Sequence, residues 1–313
     1  MPKPSVLFYN PKPGKNTPVD SRLRAYRAYF ESRGIAVSSE KGKYILISTP
    51  LPHRYLMVFL LPKLKIILDV RDGWSIAQEF GYGGTMKPKP FKAKVTRLIE
   101  RFIARRSYVV ITCTHGLQKY LQKNMRRKVL LIPNGISEED YDLAHRIKLM
   151  RTSQNNPNEL VFCCAGKFSE YGEDKVKKLC HVIIRRYKSQ TIKVQLIGSN
   201  EEKNRWVGGF LCEISNGRAR LEFLPRMNRK ELYRTIVKAD YGLTIVRDSS
   251  YEFGTKVYDY IALGLPVVNY FDKPNNFTRY FDSCLDYPFD INATPPEIRR
   301  LKLISDAFDS VEL

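Results

Sequence analysis

The amino-acid sequence predicts an α/β protein made of two Rossmann-like, doubly wound domains facing each other across a cleft. Three observations predict it. Short apolar runs of strand length alternate with amphipathic helical segments over most of the 313 residues, the pattern of parallel sheets with helical crossovers. The alternation breaks once, at the polar stretch Ser153-Gln-Asn-Asn-Pro-Asn158, and then restarts. The length suits two domains of ordinary size.

In the first half, residues 6–9 read as a short apolar strand. Residues 20–33 read as a helix, with Leu23, Tyr26, Arg27 and Phe30 at helical spacing. Tyr44–Ser48 and residues 66–70 are buried-strand runs, 92–106 is helical, and 108–112 is a β-branched strand. Thr114 is placed to cap a helix that reaches Lys123. Residues 129–132 form a strand closed by the turn Pro133-Asn134-Gly135. In the second half, strands fall at 160–165, 193–197, 221–224, 241–246 and 267–270, and helices at 174–187, 230–238 and 255–263. This order sets a first domain at 1–137, a connection at 138–158 and a second domain at 159–313.

Composition bounds the function. Hydrophobic residues make up 43% and charged residues 27%, which fits a globular chain and excludes a disordered one. No apolar run reaches the ~20 residues of a membrane span; the longest candidate, 55–68, is broken by Pro62, Lys63 and Lys65. The first residues lead straight into a strand, so no signal peptide is expected and the protein is read as cytoplasmic. Cys113, Cys163, Cys164, Cys180, Cys212 and Cys284 show neither a CxxC pair nor zinc spacing and read as buried free thiols. His53, His145 and His181 have no ligand partners at useful spacing, so no metal site is expected.

The net charge of +21 is one-sided. Residues 1–137 hold 26 Lys and Arg against 7 Asp and Glu, or +19; the remainder carries +2. Such a field implies a polyanionic partner for the first half alone. No helix-turn-helix, RRM or zinc-finger pattern supports nucleic acid. The basic segment 87–106 carries Val95, Leu98, Ile99, Phe102 and Ile103 at helical spacing. That points to the anionic inner face of the plasma membrane, bound peripherally. Packing of the stripe on the sheet is the alternative, and the two are compatible.

The chemistry concentrates in residues 249–268, Ser-Ser-Tyr-Glu-Phe-Gly-Thr-Lys-Val-Tyr-Asp-Tyr-Ile-Ala-Leu-Gly-Leu-Pro-Val-Val. This is a loop with a glycine, a helix start, then Gly-x-Pro and a new strand. Gly254 lets backbone approach a ligand closely. The amides of Thr255, Lys256 and Val257 would bind an anion through their N–H groups and the helix dipole, and Lys256 adds a full charge. Asp259, one turn on, is placed to accept hydrogen bonds from vicinal hydroxyls such as those of ribose. Diphosphate beside ribose describes a sugar nucleotide. Arg247 ends the preceding strand, where a phosphate contact and a structural salt bridge are both open.

This segment resembles the donor signature of GT-B glycosyltransferases of the family-4 type. Phe253-Gly254, Asp259, Ala262, Gly264 and Pro266-Val267 fall in register with it. Asp259 stands where the family has its second Glu; Tyr251 stands at the first Glu position, with Glu252 one residue later. The Thr-Lys-x-Tyr-Asp-Tyr form is similar to a bacterial polysaccharide and lipopolysaccharide branch. Arg71-Asp72-Gly-Trp74, Thr114-His-Gly-Leu117, Ile132-Pro-Asn-Gly135, Gly166-Lys167 and Leu224-Pro225 resemble further family segments in the family's order.

The resemblance implies transfer of a sugar from a UDP- or GDP-sugar to a hydroxyl of a bacterial surface glycan, as in a capsule, or of a lipid-linked acceptor. It implies a retaining reaction that needs no metal or other cofactor. Gly166, Lys167, Pro225, Arg247, Phe253, Gly254, Thr255, Lys256 and Asp259 would bind the donor. Glu252 and Lys256 are the catalytic candidates. Asp72 is a third, with an ion pair to Arg71 as its structural alternative. Gly14, in the first strand-to-helix loop, and His115, beside the cap Thr114, are the acceptor-side candidates. The stretch 296–308 falls where the family has a helix crossing back to the first domain. An inactive GT-B-like binding protein and a nucleotide-sugar epimerase are the alternative readings.

Overall fold

The computed structural model describes residues 5–9, 18–38, 44–48, 60, 65–84, 87–150, 158–246, 254–269 and 297–311. They form two compact units, each built on one parallel sheet. Among the described residues, 5–138 and 297–311 make the first unit and 139–269 the second. The polar stretch 153–157 lies outside the described residues.

The first sheet has strands β1 (Ser5–Tyr9), β2 (Ala36–Ser38), β3 (Tyr44–Ser48), β4 (Lys65–Val70), β5 (Ser107–Thr112) and β6 (Leu130–Leu131), in the order β2-β1-β3-β4-β5-β6. Every pairing is parallel. β3 is buried along its whole length, as a strand covered on both faces must be. Alternate side chains feed two cores. Ile45, Ile47, Ile66 and Leu68 pack with α2 (Trp74–Gly84), α3 (Pro90–Arg106) and α4 (His115–Met125) through Ile76, Ile103, Leu117 and Leu121. Tyr44, Leu46, Ile67 and Ile111 face the other way, toward Leu23, Tyr26 and Phe30 of α1 (Pro18–Ser32). The Thr114 hydroxyl accepts from the Leu117 amide at 3.2 Å, as its sequence position predicts for an N-cap.

The turn after β6 is held from outside. Arg22 donates to the carbonyls of Ile132 at 2.9 Å and Pro133 at 3.1 Å. Arg300 donates to the carbonyls of Asn134 and, at 2.9 Å, Gly135. Two guanidinium groups therefore serve four successive carbonyls. Arg300 opens a last helix, α11 (Arg300–Phe308), which packs on α1. Phe308 is fully buried and lies 5.3 Å from the Tyr29 ring in a stacked pair, with Phe30 edge-on at 5.7 Å. The sequence assigns 159–313 to the second domain, and with it the stretch 297–313. The described part of it belongs to the first unit, because the apolar face of α11 finds its partner in α1.

The second sheet has β7 (Glu159–Ala165), β8 (Thr191–Ile197), β9 (Ala219–Leu224), β10 (Tyr241–Thr244) and β11 (Val267–Asn269), in the order β11-β10-β7-β8-β9, all parallel. Helices α5 (Glu138–Leu149), α6 (Glu173–Arg186), α7 (Glu201–Asn204), α8 (Trp206–Ile214), α9 (Arg229–Ile236) and α10 (Lys256–Leu263) surround it. The chain winds outward from β7 to β9, then returns to the other side of β7 for β10 and β11. The direction reverses between β7 and β10, and the loops leaving those two strands flank the reversal point.

The sequence reading contained no helix at 74–84, 138–149 or 201–214, and the structure has one or two in each. Gly81, Gly83 and Gly84 weaken the helical signal of α2, and α5 lies in the stretch read as a connection. Cys113, Cys163, Cys164 and Cys180 are buried free thiols, while Cys212 is exposed on α8. Among the described residues no helix is long and apolar enough to cross a membrane.

Candidate functional site

The candidate site lies at the reversal point of the second sheet, at the carboxyl ends of its strands. β7 and β10 pair through only two residues each, Phe162 with Tyr241 and Cys163 with Gly242. Beyond that register Tyr260 of α10 stands between them. Its hydroxyl accepts from the Ala165 amide at 3.2 Å and lies 3.1 Å from the Leu243 carbonyl and 3.4 Å from that of Cys163. Its ring covers Gly242, where a Cβ would come within 2.5 Å of the ring carbons. Burial holds the Tyr260 phenol well above the ordinary tyrosine range, so it stays a donor. One buried hydroxyl thus satisfies backbone groups that the separating strands cannot pair and fixes α10 over the reversal point.

The start of α10 then falls beside the loop after β7. Gly166 follows β7 with φ +83°, a conformation that favours glycine. A Cβ there would sit 3.1 Å from the Lys256 ammonium. The Lys256 Nζ is 3.4 Å from the Lys167 carbonyl, and the Lys167 side chain is exposed. Gly254 passes so close to the end of β10 that a Cβ would meet the Thr244 hydroxyl at 2.7 Å. The Thr255 side chain makes no capping hydrogen bond at the start of α10. The first amides of a helix have no partner four residues back within it, but that of Val257 donates to the Gly254 carbonyl at 3.1 Å, which leaves the Thr255 and Lys256 amides as the candidates for an anion. The structure therefore gathers Gly166, Lys167, Gly254, Thr255 and Lys256 from two loops 89 residues apart.

Further contacts steady this edge. The Ser199 hydroxyl donates to the Gly166 carbonyl, and the Gly198 amide to Leu224 at 2.8 Å. Lys175 of α6 donates to the Val246 carbonyl at 3.2 Å, bringing a further cation to the end of β10. The sequence reading missed Lys175, because the turn Ser169–Tyr171 separates it from Lys167 and only the fold returns it to this edge. Pro225 follows β9 and is exposed.

Asp259 takes a different position from Lys256. One carboxylate oxygen accepts from the Tyr233 hydroxyl at 2.7 Å, and the other lies 3.1 Å from Arg229 Nη1. Arg229 also pairs with Asp140 of α5 at 3.4 Å. Burial pushes the Asp259 carboxyl above the ordinary aspartate range, against the opposing pull of Arg229. Its described partners are thus on α9, with α5 one link further on.

Asp72 follows β4 and His115 opens α4, so both lie at the carboxyl edge of the first sheet. Asp72 is exposed. His115 is half-buried, and burial lowers its pKa below the ordinary histidine value. Gly14, Arg247, Glu252 and Phe253 lie outside the described residues. Among the described residues no group of three or more His, Cys, Asp or Glu is placed to hold a metal ion.

No protein-family model matches this sequence, and no curated protein sequence resembles it significantly. Solved structures do. The Anabaena protein Alr3699/HepE in complex with UDP matches with a TM-score of 0.55 at 11% identity, over 99% of this chain and 91% of that one. An α-glucosyltransferase in complex with UDP and a 13-mer DNA matches with a TM-score of 0.51 at 10% identity, over 94% and 84%. Sucrose-phosphate synthase from Thermosynechococcus elongatus matches with a TM-score of 0.50 at 15% identity, over 92% and 67%. At these identities the likeness shows the fold alone, two Rossmann-like α/β domains of the GT-B type.

Proposed function

We propose that this chain is a nucleotide-sugar-dependent glycosyltransferase, moving a sugar from a UDP- or GDP-sugar to a hydroxyl of a bacterial surface glycan or lipid-linked acceptor. One observation carries the reading. The start of α10, the Lys256 ammonium and the Gly166-Lys167 loop converge at the reversal point of a parallel sheet. Such a position binds ligands, and amides with a cation there suit a diphosphate. Two of the structural neighbours were solved with UDP bound.

The chemistry asks chiefly for stabilisation of the departing nucleoside diphosphate. Lys256 and the α10 amides supply fixed positive charge where negative charge develops, and Lys167 adds to it, which is catalysis by electrostatic preorganisation. Asp259, oriented by Arg229 and Tyr233, offers its remaining lone pairs to the ribose hydroxyls. Arg247 assists at the phosphates. Glu252 would serve the sugar hydroxyls and Phe253 the donor, Asp72 is a further catalytic candidate, and Gly14 and His115 would serve the acceptor. The reaction proceeds with retention and needs no metal. The protein works in the cytoplasm, held peripherally at the inner face of the plasma membrane.

Calorimetric titration with UDP and GDP, followed by transfer from radiolabelled UDP- and GDP-sugars to lipid-linked acceptors, tests this. Nucleotide binding with transfer supports the reading. Binding with interconversion of free nucleotide sugars identifies an epimerase, and binding without turnover identifies an inactive GT-B-like protein. Absence of nucleotide binding removes the donor site altogether.

A further inference from the structure

The structure divides the apolar residues of α3 between two opposite faces. Ala93, Thr96, Glu100, Ile103 and Ala104 are buried. Phe91, Val95, Leu98 and Phe102 are exposed by 81%, 45%, 62% and 43%. Their spacing of four, three and four residues keeps all four within about 60° of the helix circumference and spreads them over roughly 16 Å of its length. Part of the stripe read from the sequence is thus core: Ile103 is buried and Ile99 half-buried. Val95, Leu98 and Phe102 instead join Phe91 in a row that faces solvent. Solvated helix faces are ordinarily polar, so this row calls for a partner.

Charge says which partner. Lys92 borders one flank of the row, and Lys94 and Arg105 the other, all exposed; exposed Lys87 and Lys89 lead into the helix. The only acidic residue between 87 and 106 is Glu100, on the buried face and bonded to the Ser75 amide at 3.1 Å and to the Ser75 hydroxyl. A second copy of the chain seated on this row would set lysine against lysine. An anionic lipid surface would take the aromatic and aliphatic row into its headgroup layer and pair its charges with the basic flanks.

We infer that the outer face of α3 is the membrane-docking surface of this protein, with Phe91, Val95, Leu98 and Phe102 entering an anionic leaflet and Lys92, Lys94 and Arg105 resting on its headgroups. The inference deepens the membrane placement proposed above and is independent of the transfer chemistry. Attachment has two parts. Salt weakens the headgroup contacts, since screening shortens to ~3 Å at 1 M, while the apolar row acts at short range.

Flotation of the full chain with phosphatidylcholine vesicles, and with vesicles also containing phosphatidylglycerol, tests it. The wild-type protein floats only with the anionic vesicles. Phe91→Ser/Leu98→Ser and, separately, Lys92→Gln/Lys94→Gln each weaken that partitioning by about tenfold or more. These positions are exposed, so circular dichroism and nucleotide binding stay unchanged. Flotation of the wild type with neither vesicle overturns both the inference and the membrane placement. Anionic flotation that both variants match overturns the inference and leaves the placement standing. A wild-type dimer in size-exclusion chromatography that Phe91→Ser/Leu98→Ser dissociates assigns the row to a second copy and overturns the inference.

Discussion

Arg22 clasps Asp69 across 47 positions of sequence, with Nε and Nη2 each 3.0 Å from a different carboxylate oxygen and both side chains out of solvent. Burial opposes the charge on Arg22, but Asp69 outweighs it and holds the guanidinium pKa above its ordinary value. The same guanidinium serves the Tyr26 hydroxyl at 2.9 Å. A pair of this kind is costly to break from one side, because the abandoned charge stays buried. Arg22→Met is expected to destabilise the first unit by about 3–5 kcal/mol. Urea unfolding followed by near-ultraviolet dichroism reads this, and Arg22→Met/Asp69→Leu should recover part of the loss.

The Tyr260 hydroxyl gives the next expectation. Tyr260→Phe keeps the ring over Gly242 but leaves the Ala165 amide without its partner. A loss of about 1–3 kcal/mol in stability is expected, together with weaker UDP or GDP binding, since α10 loses its tie to β7. Denaturation and calorimetry on one preparation separate the two effects. Unchanged stability would mean that water replaces the hydroxyl.

Lys256→Ala is expected to cost about 1.5–3 kcal/mol of nucleotide affinity, the size of a charged hydrogen bond, or roughly 10- to 150-fold in Kd. Thermal unfolding without nucleotide should barely move, because among the described residues Lys256 makes a single 3.4 Å hydrogen bond, to the Lys167 carbonyl. Equal affinity of variant and wild type would remove Lys256 from the diphosphate site.

Glu100 supplies a pH-dependent test. Burial raises its pKa, against opposing hydrogen bonds from Ser75. A carboxyl raised in the folded state contributes stability that is fully present below the unfolded value of about 4.3. That contribution is lost as pH rises through the folded value. Glu100→Gln cannot titrate, so its Tm should fall less than that of the wild type as pH rises from about 4 toward neutrality. Parallel Tm profiles for the two proteins would rule the effect out.

What the sequence disclosed follows from how local each signal is. Apart from β2, three residues at an edge of the first sheet that the sequence does not disclose, the strands of both sheets, the Thr114 cap and the helix start at Lys256 are written in neighbouring residues, and the structure contains them. The convergence of Lys256 on Gly166-Lys167 was visible only through the order of the segments. The grip of Arg22 on Asp69 and the wedge of Tyr260 between β7 and β10 leave no trace in local pattern, since each joins residues about 50 to 100 positions apart. The arrangement of α3 fell between these cases. Periodicity found a stripe, but the sequence could not tell which apolar residues faced the sheet, because two apolar faces share one helix.

The tie between α11 and the turn after β6 also has a temporal meaning. A chain emerging from the ribosome has all of the second unit's sequence before Arg300 and Phe308 exist. Domains generally fold as units, the earliest one first. Here the unit whose strands precede the second unit is completed by residues that follow it. Until α11 arrives, the carbonyls of Asn134 and Gly135 lack their guanidinium, and the α1 rings that receive Phe308 lack their cover. All the described residues of the second unit are thus made before the first unit can be completed, and the last residues described close a structure that the first ones opened.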